Sequence, residues 1–135
     1  MTKIIYSDPE GRAQIITPSG DVNDAIKDVP SGVPYEIVDD SKIPTDRTFR
    51  NAWVTGSGEV KENLAKSKAL AHEIRRNKRA SEFKPHDEII SLNIPGQDAA
   101  AAETARVAIR AKYETMQTDI DNSTNTASIK TALEI

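Results

Sequence analysis

Two histidines, His72 and His86, are the side chains best suited to move a proton near neutral pH, and no metal-ligand spacing such as HExxH surrounds either. His72 sits between Ala71 and Glu73 in a highly charged stretch, which reads as a solvated helix position. His86 follows Pro85, and its neighbour Asp87 suits the positive end of a helix dipole better than it suits a catalytic pair. Asp39-Asp40 and the pair Asp119 and Asp121 offer carboxylates for acid/base work or metal binding. Neither has the glycine and closing glutamate of a calcium loop, so they read as a solvated turn and a helix end. Gly56-Ser57-Gly58 lacks the lysine and hydroxyl residue of a phosphate-binding loop. The chain has no cysteine, which removes thiolate nucleophiles and thiolate metal sites. No catalytic residue, metal ligand or cofactor is assigned, and the expectation is a protein that is not an enzyme.

What remains is chemistry of contact. Arg75-Arg76-Asn77-Lys78-Arg79 puts four cations in five residues, a density that can engage phosphates. No aromatic residue is interleaved, the sequence pI is about 5.4, and cations near a helix C-terminus are favoured by the dipole in any case. A solvated or internally paired helix end is the first reading, contact with a protein partner the second and nucleic acid the third. Phe49, Arg50 and Trp53 are residue types that dominate interface hot spots, and Phe49 and Trp53 could equally anchor a small core. The candidate partner-binding set is therefore Phe49, Arg50, Trp53, Arg75, Arg76, Lys78 and Arg79.

These residues must be positioned by two kinds of element. The short β-branched runs Lys3-Ile4-Ile5-Tyr6 and Ala13-Gln14-Ile15-Ile16-Thr17 flank a turn containing Pro9 and Gly11 and predict a hairpin. Asp21 is placed to cap a short helix with Val22, Ile26 and Val29 on one side, and Tyr35-Glu36-Ile37-Val38 alternates as a strand does. Thr55-Gly56-Ser57-Gly58 reads as a hinge. From Glu59 to about Glu82 there is no Pro or Gly, and Val60, Leu64, Ser67, Ala71 and Ile74 form one apolar stripe. Pro85 is expected to end that helix, with a further short helix over residues 86–92 and a turn at Asn93-Ile94-Pro95-Gly96. A second long helix is expected from about Asp98 to Asp121, with Ala102, Ala105, Ile109, Lys112 or Tyr113, Met116 and Ile120 at its repeating positions, and a short final helix with Ala127, Ile129, Lys130 and Leu133. Asn122-Ser123-Thr124 matches the glycosylation triplet, read as chance in a chain without an export signal.

The expected architecture is α+β: a β-rich docking head over residues 1–55, a linker at 56–58 and an antiparallel helical hairpin with a short terminal helix over 59–135. Composition agrees with that division. At 135 residues, 37% hydrophobic and with a mean hydropathy of -0.55, the chain has few apolar side chains for one compact globule. Its net charge of -3 hides a basic middle, since residues 59–82 carry seven Lys and Arg against four Asp and Glu. No stretch reaches the roughly 20 apolar residues that span a bilayer, and residues 1–5 are too short for a signal peptide's apolar region, so neither a membrane partner nor export is expected.

The run Tyr35-Glu36-Ile37-Val38-Asp39-Asp40-Ser41-Lys42-Ile43-Pro44-Thr45-Asp46-Arg47-Thr48-Phe49-Arg50-Asn51-Ala52-Trp53 resembles a segment of small proteins encoded by tailed bacteriophages. The resemblance rests on Ile-Val-Asp-Asp followed by Ile-Pro-x-Asp-Arg-Thr-Phe-Arg-Asn-Ala-Trp, then a charged helical region. Such proteins are tail-associated accessory proteins, grouped with tail fibres or tail-fibre assembly chaperones, and no catalytic residue set comes with them. The stretch Arg75-Arg76-x-Lys78-Arg79 followed by Phe83 and Pro85 is similar to the C-terminal parts of the assembly chaperones, though no Trp follows Asp87. The resemblance implies a non-enzymatic tail protein, a minor virion component or an assembly factor, whose partner is a tail or tail-fibre protein and whose place is the virion or the host cytoplasm during assembly. Homo-oligomerisation stays open. The alternative is a regulatory or nucleic-acid-binding module using Arg75, Arg76, Lys78 and Arg79.

Overall fold

A computed structural model describes residues 1–93 and 95–135 and gives an α+β protein, β-stranded in its first part and helical in the rest. The chain divides into two compact units, Met1–Ser67 and Lys68–Ile135.

In the first unit, β1 (Thr2–Ser7) pairs antiparallel with β2 (Ala13–Ile16) on one side and β3 (Tyr35–Asp39) on the other, giving the order β2-β1-β3. Asp8 builds the β1–β2 turn. Its carboxylate accepts from the Glu10 and Arg12 amides, both at 2.9 Å, and from Gln14 Nε2 at 2.9 Å. Those bonds, the Arg12 amide foremost, hold the Asp8 carboxyl below the usual carboxylate range.

Strand alternation sends neighbouring isoleucines of β1 to opposite faces. Ile5 joins Val38, Trp53 and Val60 on one face, with Ala13, Ile15 and Ile43 packed against them. Ile4 joins Ala25 and Val29 on the other, beside Tyr6, Ile16 and Val22. The second face is covered by α1 (Val22–Ala25), which Asp21 caps by accepting from the Asn23 amide, and by a 3-10 turn over Ile26–Asp28. The first face is covered by a second hairpin, β4 (Trp53–Gly56) with β5 (Glu59–Glu62).

That hairpin corrects the expected linker at 56–58. Ser57 and Gly58 are its two-residue turn, with φ of 51° and 79°, the paired positive values that match the twist of antiparallel strands. Small polar residues with glycine serve a tight turn as well as a tether, so composition alone does not separate the two. The following helix accordingly starts later than Glu59: Val60 lies in β5, buried and paired with Thr55. Asn63 starts α2 (Leu64–Leu92), its Oδ1 accepting from the Lys66 amide at 2.9 Å.

Pro85 lies inside α2, so the separate helix expected over residues 86–92 is a continuation of the first. In the second unit α3 (Ala99–Asp121) runs antiparallel to α2, as the cross-links show: Lys112 Nζ lies 3.0 Å from Glu82 Oε1, and Arg106 Nε lies 2.9 Å from Asp87 Oδ1. The second contact holds α2 beyond its proline. Asp98 caps α3 by accepting from the Ala101 amide, and of the expected 93–96 turn Ile94 lies outside the described residues. The predicted stripe on α3 is buried at Ala102, Tyr113, Met116 and Ile120. A reciprocal capping box between Asn125 and Ser128 starts α4 (Thr126–Leu133), which buries Ile129 and Leu133.

Candidate functional site

The seven residues singled out for partner contact have different fates. Phe49 and Trp53 are each 1% exposed. Trp53 belongs to the core between the sheet and the second hairpin, so the aromatic pair stabilises the head and presents no face to a partner. Burial on this scale removes them from the contact set. Arg50 is exposed at the start of the 3-10 turn Arg50–Ala52, which precedes β4.

The basic run on α2 is partly used in contacts within its own unit. Arg75 is buried, and its Nε–H donates to His72 Nδ1 at 3.2 Å. Burial, then the neighbouring Arg76 and Arg79 charges, lowers the Arg75 pKa. Lys78 Nζ donates to the Leu133 carbonyl at 2.8 Å, anchoring the end of α4. The Arg79 guanidinium lies 4.8 Å from the centre of the Phe83 ring. Arg76 alone of the four is exposed. Arg75, Lys78 and Arg79, at i, i+3 and i+4, share a face of α2 and make contacts within their unit.

The paired aspartates at positions 39 and 40 make local contacts. Asp39 caps the turn Asp40–Lys42 through the Ser41 amide, and Asp40 lies 2.9 Å from the Met1 ammonium. His72 does meet a carboxylate, with Nε2 2.7 Å from Asp121 Oδ1. Because Arg75 donates to Nδ1, the ring proton is on Nε2 and points at Asp121; the Nε2 contact ties α2 to α3, while the Arg75 contact stays within α2. Lys68 Nζ donates to the Asp121 carbonyl at 2.9 Å, completing a clasp on the C-terminus of α3. Among the described residues no group of three or more His, Cys, Asp or Glu could hold a metal ion.

Two surfaces of the head were not legible in the sequence. One is β3, an outer strand of its sheet. Tyr35 and Ile37, two residues apart and so on one face, are 42% and 45% exposed, while Val38 is buried on the opposite face. The alternation announced a strand, but only the pairing order reveals that it lies at an edge. The other is a cleft of about 400 Å3 whose lining includes Lys3, Arg47, Arg50 and Trp53. Its members are brought together from β1 and from the segment after β3, a distance along the chain that no local motif records.

No helix among the described residues is long and apolar enough to cross a membrane. The chain matches no protein-family model, no curated protein and no solved structure.

Proposed function

We propose that this protein works by protein–protein contact, without turning over a substrate, as a minor virion component or a tail-fibre assembly factor of a tailed bacteriophage. The observation that carries the contact reading is the edge strand β3, which exposes Tyr35 and Ile37 beside its outer backbone edge. An outer strand keeps a row of backbone donors and acceptors for an added strand, and alternate side chains supply selectivity. The tail context comes from the resemblance over residues 35–53, the segment that begins with this strand. Glu36 points the other way, toward the Ser57-Gly58 turn, where its Oε2 lies 3.6 Å from the place a Gly58 Cβ would occupy.

The partner on this reading is a tail or tail-fibre protein with an extended segment. Quantitative mass spectrometry of purified particles and of tail assembly intermediates tests it. A fixed stoichiometry in particles supports a virion component, and presence in intermediates alone supports an assembly factor. Absence from both contradicts the reading. The nucleic-acid alternative is weakened by the commitments of Arg75, Lys78 and Arg79 to His72, Leu133 and Phe83.

A further inference from the structure

We infer that the cleft between β2 and the segment leading to β4 is a binding site for a carboxylate carried on an apolar body. Lys3, Arg47 and Arg50 line it, against a single lining carboxylate, Asp40. Asp40 is engaged by the Met1 ammonium at 2.9 Å, and Lys3 Nζ donates to the Thr17 hydroxyl at 3.3 Å. No ion pair is formed by Arg47 or Arg50 among the described residues, whereas Arg12, Arg106 and Arg110 each have carboxylate partners within 3.2 Å. In an acidic chain, two guanidiniums left unpaired at the mouth of one cleft are an unspent preference for an anion.

The rest of the lining says what the anion is attached to. Ile43 and Pro44 give the cleft an apolar wall, with the buried Trp53 ring behind it, and the Arg47 guanidinium lies 5.9 Å from the centre of that ring. Trp53 Nε1–H is buried without a hydrogen-bond acceptor. A cleft of about 400 Å3 has room for a group the size of an amino-acid side chain or a small aromatic acid, and lies in the roughly 300–1,000 Å3 range of ligand pockets. The shared chemistry is a carboxylate next to apolar surface, from either a free organic acid or an acidic side chain on a peptide. This inference does not depend on the tail reading or on β3.

Trp53 is the chain's one tryptophan, so its fluorescence reports on the cleft directly. The protein is titrated with benzoate, with a capped Leu-Glu-Leu tripeptide, with its Leu-Gln-Leu counterpart and with inorganic phosphate. Saturable change with benzoate or the Leu-Glu-Leu peptide is expected, and the tighter of the two identifies the source. The Gln peptide and phosphate should bind at least tenfold more weakly. Arg50→Gln alone and Arg47→Gln with Arg50→Gln should each weaken the best probe at least fivefold, with unchanged circular dichroism, while Arg76→Gln leaves it unaltered. No saturation by either carboxylate probe up to about 10 mM overturns the inference. So does equal binding of the Gln peptide or phosphate, or undiminished binding by the well-folded Arg50→Gln variant.

Discussion

Trp53 shows how one side chain sets the stability of a head with two thin cores. It is the largest fully buried residue, packed with Ile5, Val38 and Val60. Trp53→Ala should cost about 3–5 kcal/mol, enough to unfold much of the head in urea titrations followed by circular dichroism. Arg50→Ala, exposed nearby, should stay within about 0.5 kcal/mol. Asp8 makes a different prediction, about pH. Its folded pKa is depressed by the turn amides, so its contribution is present above the ordinary aspartate range and is lost as pH falls through the folded value. Acid titration of wild type and Asp8→Asn should therefore give curves that differ above about pH 4 and converge below it. The Glu82–Lys112 pair carries less weight. Each partner favours the other's charged form, but both are more than a third exposed, so Glu82→Gln should cost under about 1 kcal/mol and the loss should shrink with salt.

Elements were legible where sequence chemistry admits one geometry and illegible where it admits two. The β1–β2 hairpin, the Asp21 cap and the stripe on α3 follow from residue types that do one job in one place. Residues 55–64 do not. Val60 fits a helical stripe with Leu64 and equally a strand, and the choice is made by pairing with β4 and by Trp53 on the same face. Gly58→Ala should destabilise the head by about 1–2 kcal/mol, because an L-residue resists its φ of 79°, while Ser57→Asn should be neutral or slightly stabilising. Chemical denaturation of both variants checks this. Pro85 has the chemistry of a terminator because it removes a helical hydrogen bond, yet the helix continues past it, where Arg106 pairs with Asp87. Pro85→Ala should raise stability by about 1–3 kcal/mol, read as a higher thermal midpoint.

At the scale of the whole molecule, the sequence conveyed the α+β class and the shortage of reactive side chains. It did not convey which surfaces remain open. Phe49 and Trp53 have the composition of an interface and the burial of a core, and nothing local distinguishes these outcomes. Tyr35 and Ile37 look like ordinary strand residues until β3 is placed at the edge of its sheet. The four cations of α2 are close in sequence, but Arg75, Lys78 and Arg79 meet separate partners within their unit and Arg76 stays exposed. The proposed contact surface is the exposed edge of β3. Its most direct test is capture by the tagged protein from cells producing tail components, comparing wild type with the Tyr35→Lys, Ile37→Lys double variant after both are shown to be folded. A tail or tail-fibre protein is expected at near-stoichiometric yield with wild type, with at least a tenfold loss with the variant. Equal recovery by both proteins would contradict it.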